Sequence, residues 1–110
     1  MIWVLTGDKI ETAINVGYSS GLIDGGISQF IISAMDENEL ATQMREIKET
    51  LTTYPTREVA LVVAGDSLMK ITHSLQFTAT FLELTAMAKV VLACRVSPKQ
   101  KAEIVLMIRK

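Results

Sequence analysis

Residues 1–11 read MIWVLTGDKIE, and this stretch decides the fold. The apolar run at its start has the length of a buried strand and stops at Thr6, Gly7 and Asp8. Helical spacing follows at once, with one apolar face made of Ile10, Ala13, Ile14 and Gly17. The stretch therefore predicts a strand that turns through a glycine into a helix.

The turn at Thr6, Gly7 and Asp8 is a candidate anion site. Free backbone N–H groups at a helix start, with the helix dipole behind them, favour a negative charge. Thr6 adds a hydroxyl at the carboxyl end of the strand, where ligands of open α/β sheets bind. The alternative is an ordinary turn in which Thr6 or Asp8 caps the helix. The local sequence leaves both interpretations open.

Size and composition describe one domain, or part of one, in 110 residues. Apolar residues make up 49% of the chain and its mean hydropathy is +0.32, which is high for a soluble domain. No apolar run nears the roughly 18 residues that are needed to span a bilayer. The apolar residues are therefore expected to form a core, or a surface that another part of a longer chain covers.

Charge and cysteine content exclude several classes of function. A net charge of −1 gives no electrostatic basis for binding nucleic acid or a membrane surface. Cys94 is the single cysteine and excludes an internal disulfide, and the single histidine, His73, leaves no cluster of metal-binding residues. A reducing, cytosolic environment fits this composition.

Strands and helices alternate along the rest of the chain. Apolar runs predict further strands at residues 29–33, 58–64 and 90–94. Helices are predicted at 36–54, 68–74 and 76–89, and the first of these has Asp36 as its cap and an apolar stripe of Leu40, Met44, Ile47, Leu51 and Tyr54. This alternation predicts an α/β fold with a mostly parallel sheet and helices on both faces.

The last helix has a strong start signal at Ser97, Pro98 and Gln100. Serine caps the helix, proline suits its first position and glutamine at the third completes a capping box. Its inward face is predicted to be Ala102, Val105, Leu106 and Ile108. The Gly-Asp-Ser sequence at 65–67 is predicted to be a turn or a helix cap rather than a second phosphate loop.

Three cationic residues lie close to the start of the last predicted helix. Lys99 and Lys101 fall in the first turn of the helix, where a positive charge is unfavourable against the helix dipole. They either reach an anionic ligand or extend into water, and Arg95 at the end of the preceding strand has the same two interpretations. Because the carboxyl ends of parallel strands share one edge, Arg95, Lys101 and the turn at 6–8 are expected to lie at the same edge.

These residues carry a resemblance to a known family. The string TGDKIETAINVGY at residues 6–18 resembles the second signature of the phosphorylation domain in P-type ATPases. The longer string WVLTGDKIETAINVGYS at 3–19 is similar to the phospholipid-transporting branch, the lipid flippases. CRVSPKQKA at 94–102 resembles the third signature, and LVVAGDSL at 61–68 fits the same branch. The resemblance spans the chain nearly end to end and is weakest over residues 24–55.

The resemblance implies a haloacid-dehalogenase-like (HAD-like) phosphorylation domain, a three-layer sandwich of the Rossmann type, of which residues 1–110 would form an incomplete part. In that family an aspartate attacks the γ-phosphate of ATP, and the aspartyl-phosphate is later hydrolysed. Carried over by position, Thr6 and Gly7 would hold the phosphoryl oxygens, and Lys101 would neutralise charge during transfer. Asp8 and Arg95 would lie at the nucleotide. Lys9 receives no role.

Two family motifs are absent from the sequence, Asp-Lys-Thr-Gly-Thr with the nucleophile and Gly-Asp-Gly-x-Asn-Asp with the magnesium-binding aspartate. ATP and Mg²⁺ are therefore expected cofactors of a longer parent protein, and the chain itself supplies no metal ligand. Residues 1–110 alone are expected to be inactive. Strand edges left open by absent segments are expected to make them self-associate.

The resemblance implies a multi-pass membrane protein, with this segment on the cytosolic side and a phospholipid substrate bound by absent membrane helices. Three alternatives stay open at this point. One is the phosphorylation domain of a cation-transporting P-type ATPase, and another is a non-catalytic nucleotide-binding α/β module. The third is a structural α/β interaction domain that binds no ligand.

Overall fold

The computed structural model describes residues 2–54 and 58–109, with side chains as far as residue 106 in the last helix. The helix end predicted at Pro55 and the side chain of Ile108 therefore lie outside the described residues. Strands and helices alternate in the order β1 (Ile2–Leu5), α1 (Ile10–Ser19), β2 (Ser28–Ile32), α2 (Glu37–Thr53), β3 (Val59–Ala64), α3 (Gly65–Thr72), α4 (Leu75–Ala86), β4 (Val90–Cys94) and α5 (Pro98–Arg109).

The four described strands form one parallel sheet in the order β1-β4-β3-β2. The predicted strands are confirmed, β4 residue for residue and β2 and β3 to within one residue. Unbroken apolar runs form β3 and β4, because both faces of these central strands are buried. The predicted α/β fold is therefore confirmed, and the described sheet is wholly parallel.

Successive side chains of the strands point to opposite faces of the sheet and pack into two separate cores. One core includes Leu61, Val63 and Val91 and packs against α2, α3, α4 and α5. The other includes Val62 and Leu92 and packs against α1. The molecule is thus a three-layer sandwich, which is consistent with an HAD-like or Rossmann-type fold.

Helix starts differ from the sequence predictions in one place. Asp36 caps α2 as predicted, because its carboxylate accepts hydrogen bonds from the N–H groups of Asn38 and Glu39 at 3.1 and 3.2 Å. Tyr54 follows the helix and is 53% exposed, so the predicted stripe ends at Leu51. The prediction of a turn or cap at 65–67 is wrong, because α3 already begins at the first of these residues.

The predicted inward face of α5 is also wrong. Ala102 is exposed, and Val105 and Leu106 are 40% and 64% exposed, whereas Ile104 is buried at 1%. Of the α5 side chains that the structure describes, only Ile104 belongs to the buried core. No helix among the described residues has both the length and the apolar content that crossing a bilayer requires.

Strand β1 is an edge strand, although its sequence reads as an interior one. Among the described strands it pairs only with β4, and its other edge carries no partner. Ile2 is 47% exposed, and the indole N–H of Trp3 is buried with no hydrogen-bond acceptor among the described residues. An apolar, unprotected edge of this kind is a template for pairing with a further strand.

Candidate functional site

The candidate site lies at the carboxyl ends of β1 and β4, from which the chain continues to opposite faces of the sheet. These two strands are neighbours, but α1 follows β1 on one face of the sheet and α5 follows β4 on the other. In open α/β sheets, ligands bind at the carboxyl ends of the strands at such a topological switch point. The loop at residues 6–9 and the loop at 95–97 both lie at this point.

Backbone hydrogen bonds join the two loops side by side. The Thr6 N–H donates to the carbonyl of Ala93 at 2.9 Å, which extends the ladder between β1 and β4. In return, the Val96 N–H donates to the Thr6 carbonyl and the Arg95 N–H to the Asp8 carbonyl, both at 3.0 Å. The structure thus brings Arg95 against the first loop, as the parallel arrangement predicts. The binding of a phosphoryl group by these residues stays a prediction.

The Thr6 hydroxyl both donates a hydrogen bond to Asp8 and accepts one from it. It donates to the Asp8 carboxylate at 2.9 Å and accepts from the Asp8 N–H at 3.1 Å. The Gly7 N–H has no acceptor among the described residues, and Gly7 is exposed. The first loop therefore offers the free amide hydrogen of Gly7 and one hydroxyl that must give up a contact to reach a ligand.

The alternative interpretation of this loop, that Thr6 or Asp8 caps α1, is wrong. The residue at the N-cap position is Lys9, and no side chain accepts a hydrogen bond from the first turn of α1. The side chains of the loop are therefore not used to satisfy the helix start.

Arg95 has a backbone conformation that non-glycine residues rarely adopt. Its φ is +54°, in the left-handed region, which costs about 1 kcal/mol for a residue with a Cβ. Its exposed side chain lines an open cavity of about 460 Å³ at the carboxyl edge of the sheet. The other residues that line this cavity are Lys9, Ile10, Glu11, Ser33, Met35, Ala64 and Asp66. Within the described part of the chain, neither Arg95 nor Lys9 forms an ion pair.

Lys101 begins at the same edge, but no hydrogen bond or ion pair among the described residues joins it to the first loop. The predicted capping box is confirmed, since the Ser97 N–H donates to Gln100 Oε1 at 3.0 Å and the Gln100 N–H donates to Ser97 Oγ at 3.2 Å. This box starts α5 next to Val96, which is bonded to Thr6. Lys101 is half-buried in the first turn, and its side chain has no hydrogen bond or ion pair within residues 2–54 and 58–106.

Cys94 ends β4 immediately before the second loop and is fully buried. Burial raises the pKa of its thiol from 9.0 to about 11, and the nearby Asp8 carboxylate adds to this rise. The thiol is thus protonated at neutral pH, and a protonated thiol is a poor nucleophile. No group of three or more His, Cys, Asp or Glu side chains among the described residues could hold a metal ion.

Sequence reasoning missed two residues that shape the site. Gln100 Nε2 donates to the carbonyl of Gly65 at 3.0 Å and so connects the starts of α5 and α3. A Cβ on Gly65 would lie 2.4 Å from the carbonyl oxygen of Arg95, so only glycine fits there. The capping box marks Gln100 in the sequence, but nothing local reveals a contact with a residue 35 positions away.

Known proteins resemble the chain over nearly its whole length, although no protein-family model matches it. Two phospholipid-transporting ATPases of Schizosaccharomyces pombe are 40% identical over 116 residues and 38% identical over 128 residues. The human phospholipid-transporting ATPase ID is 33% identical over 137 residues. Each match covers 99% of this chain but only 9% to 11% of the relative. The chain spans about a tenth of their length, and over nearly all of its own residues it is homologous to phospholipid-transporting P-type ATPases.

Proposed function

We propose that residues 1–110 form part of the phosphorylation domain of an ATPase that moves phospholipids across a membrane, and that they bind the phosphoryl group and the nucleotide. The observation that carries this proposal is the pairing of the loops at 6–9 and 95–97 at the switch point of the sheet. The names of the relatives favour a phospholipid over a cation as the substrate of the longer protein.

Phosphoryl transfer depends mainly on well-positioned groups that stabilise negative charge. Few residues take part in covalent chemistry. The Gly7 N–H is free to donate to a phosphoryl oxygen. The Thr6 hydroxyl donates to a second oxygen once its proton turns away from the Asp8 carboxylate. Lys101 supplies the positive charge that offsets the phosphoryl group during transfer. Arg95 and Asp8 contact the nucleotide, and Arg95 does so from the open cavity.

The remaining parts of the reaction come from outside residues 1–110. The aspartate nucleophile and the carboxylates that hold Mg²⁺ are absent from this sequence, so ATP and Mg²⁺ act in the longer protein. That protein is anchored in the membrane, binds the phospholipid in its membrane helices and carries this segment on the cytosolic side. The open edge of β1 supports the proposal that residues 1–110 are an incomplete HAD-like domain.

Taken alone, residues 1–110 should neither turn over ATP nor remain monomeric. Without a carboxylate nucleophile, no aspartyl-phosphate can form. The open edge of β1, with Ile2 exposed, should pair with the same strand of a second copy. Magnesium-dependent phosphate release by the purified chain would contradict the first expectation. A monomeric mass by light scattering at millimolar concentration would contradict the second.

A chimera tests the proposed function directly. The matching segment of the S. pombe ATPase that is 40% identical is replaced by residues 1–110, and acid-stable phosphoenzyme is measured with labelled ATP. Lys101→Ala should lower the rate of phosphoenzyme formation about a hundred-fold, because it removes about 2.7 kcal/mol of transition-state stabilisation. Lys99→Ala is the matched control, since Lys99 is an exposed lysine of the same helical turn.

Two results would contradict the proposal. One is a folded chimera, inserted in the membrane, that forms no phosphoenzyme with the unsubstituted segment. The other is a Lys101→Ala chimera whose rate equals that of Lys99→Ala, because the effect would then be one of surface charge rather than of a specific site.

A further inference from the structure

We propose that Gln100 is a positioning residue of the candidate site. Its carboxamide ties the start of α5 to the start of α3 and thereby holds the loop at 95–97 against the loop at 6–9. The role in catalysis rests on the proposed function, whereas the structural link can be tested without it.

The carboxamide of Gln100 makes two different kinds of contact. Its oxygen accepts from the Ser97 N–H at 3.0 Å, which is the ordinary task of a glutamine in a capping box. Its nitrogen donates to the Gly65 carbonyl at 3.0 Å, and this bond has no part in capping. A residue that only capped α5 would need the acceptor oxygen and not the donor nitrogen. The second contact therefore points to a role beyond the helix start.

The contact with Gly65 reaches the strained residue of the site. Gly65 is buried at the first position of α3, and its Cα lies so close to the Arg95 carbonyl that an added Cβ would be 2.4 Å from the oxygen. Arg95 in turn keeps its φ of +54° while its N–H donates to the Asp8 carbonyl at 3.0 Å. A continuous set of contacts thus runs from Gln100 through Gly65 and Arg95 to Asp8.

The arrangement explains how an unfavourable backbone conformation persists beside the site. A left-handed residue with a Cβ relaxes unless its surroundings hold it, and such residues cluster at functional sites. The start of α3 blocks one direction of relaxation, and the Gln100 side chain keeps the start of α5 against α3. Lys101 follows Gln100 directly in the same helical turn, so its backbone is held by the same bond.

Gln100→Glu separates the two contacts. The carboxylate still accepts from the Ser97 N–H, but at pH 7 it cannot donate to the Gly65 carbonyl. Amide hydrogen exchange of Arg95 and Val96, whose N–H groups bond the first loop, should become about ten-fold faster relative to Leu92 in the sheet, in keeping with the loss of one hydrogen bond. Below the usual glutamate pKa of about 4.3, the protonated carboxyl can donate again, and the difference from the unsubstituted chain should shrink.

Two controls define what is specific to the Gln100–Gly65 bond. Ser97→Ala removes the hydroxyl that accepts from the Gln100 N–H but leaves Gln100 Nε2 on Gly65, so exchange at Arg95 and Val96 should change less than about three-fold. Gln100→Met, whose side chain has no donor and only a weak acceptor, should give the faster exchange without the recovery at low pH. Unchanged protection in Gln100→Glu, or an equal loss in Ser97→Ala, would overturn the proposal.

The chimera then tests whether the bond serves the reaction. Gln100→Glu should slow phosphoenzyme formation about ten-fold at saturating ATP, with the KM for ATP changed less than three-fold, because Lys101 acts mainly in the transition state. Faster exchange with an unchanged rate of phosphoenzyme formation would overturn the positioning role. A chimera that forms no phosphoenzyme with the unsubstituted segment would refute the proposed function instead, and the exchange measurements would still decide whether the structural link exists.

Discussion

Replacing Gly65 by alanine should destabilise the fold through a single close contact. The new Cβ would lie 2.4 Å from the Arg95 carbonyl oxygen, 3.0 Å from its carbonyl carbon and 3.1 Å from the Cys94 oxygen. All three are backbone atoms, so β4 and the start of α3 must move apart. Such overpacking costs about 1–3 kcal/mol. Loosening the Gln100–Gly65 hydrogen bond adds about 1 kcal/mol, and the better helix propensity of alanine offsets a similar amount.

The net loss in unfolding free energy is therefore about 1–3 kcal/mol, which is a large part of the stability of a domain this size. In urea unfolding followed by circular dichroism, the midpoint should fall by about 1 M, since the slope for small proteins is about 1–3 kcal/mol per molar. Gly25→Ala is the matched control, because no heavy atom lies within 4 Å of the added Cβ. An unchanged midpoint in Gly65→Ala would refute the close-packing argument.

Three further predictions use the same unfolding assay. Arg95→Gly should raise the unfolding free energy by about 0.5–1 kcal/mol, because glycine tolerates φ near +54°, while Arg95→Ala should show no gain. Ser67→Ala should lower it by about 1–2 kcal/mol, because the buried Ser67 hydroxyl donates to the Ala34 carbonyl at 2.7 Å and that carbonyl loses its partner. The pKa of the Cys94 thiol is raised from 9.0 to about 11 in the folded chain. The unfolding free energy should therefore fall as the pH rises from 9.0 towards 11, because the thiol ionises first in the unfolded chain. Cys94→Ala should remove that decline, and an equal decline in this variant would contradict the assigned cause.

The strands of this fold were predictable because their signal is local. An unbroken apolar run defines β4 at Val90–Cys94 without any knowledge of its neighbours. The stripe from Leu40 to Leu51 likewise predicts both α2 and its buried face. The sharing of one sheet edge by the loops at 6–9 and 95–97 followed from parallel topology alone.

Features that depend on distant contacts were not predictable. The spacing of Val105 and Leu106 is typical of an inward face, but the described core reaches only Ile104. The residues at 65–67 read as a turn because glycine and aspartate favour turns, yet close packing against Arg95 places a helix start there. No local pattern could show that β1, rather than a central strand, lies at the edge.

The two hydrogen bonds between Thr6 and Asp8 affect which anions the first loop can bind. A chloride ion that approached the hydroxyl would be repelled by the Asp8 carboxylate already bonded to it. A phosphoryl group carries several oxygens, so it can take over that hydroxyl and also accept from the unoccupied amide of Gly7. We expect the resting loop to discriminate against small monovalent ions that are abundant in the cell, without any conformational change in the sheet beneath it.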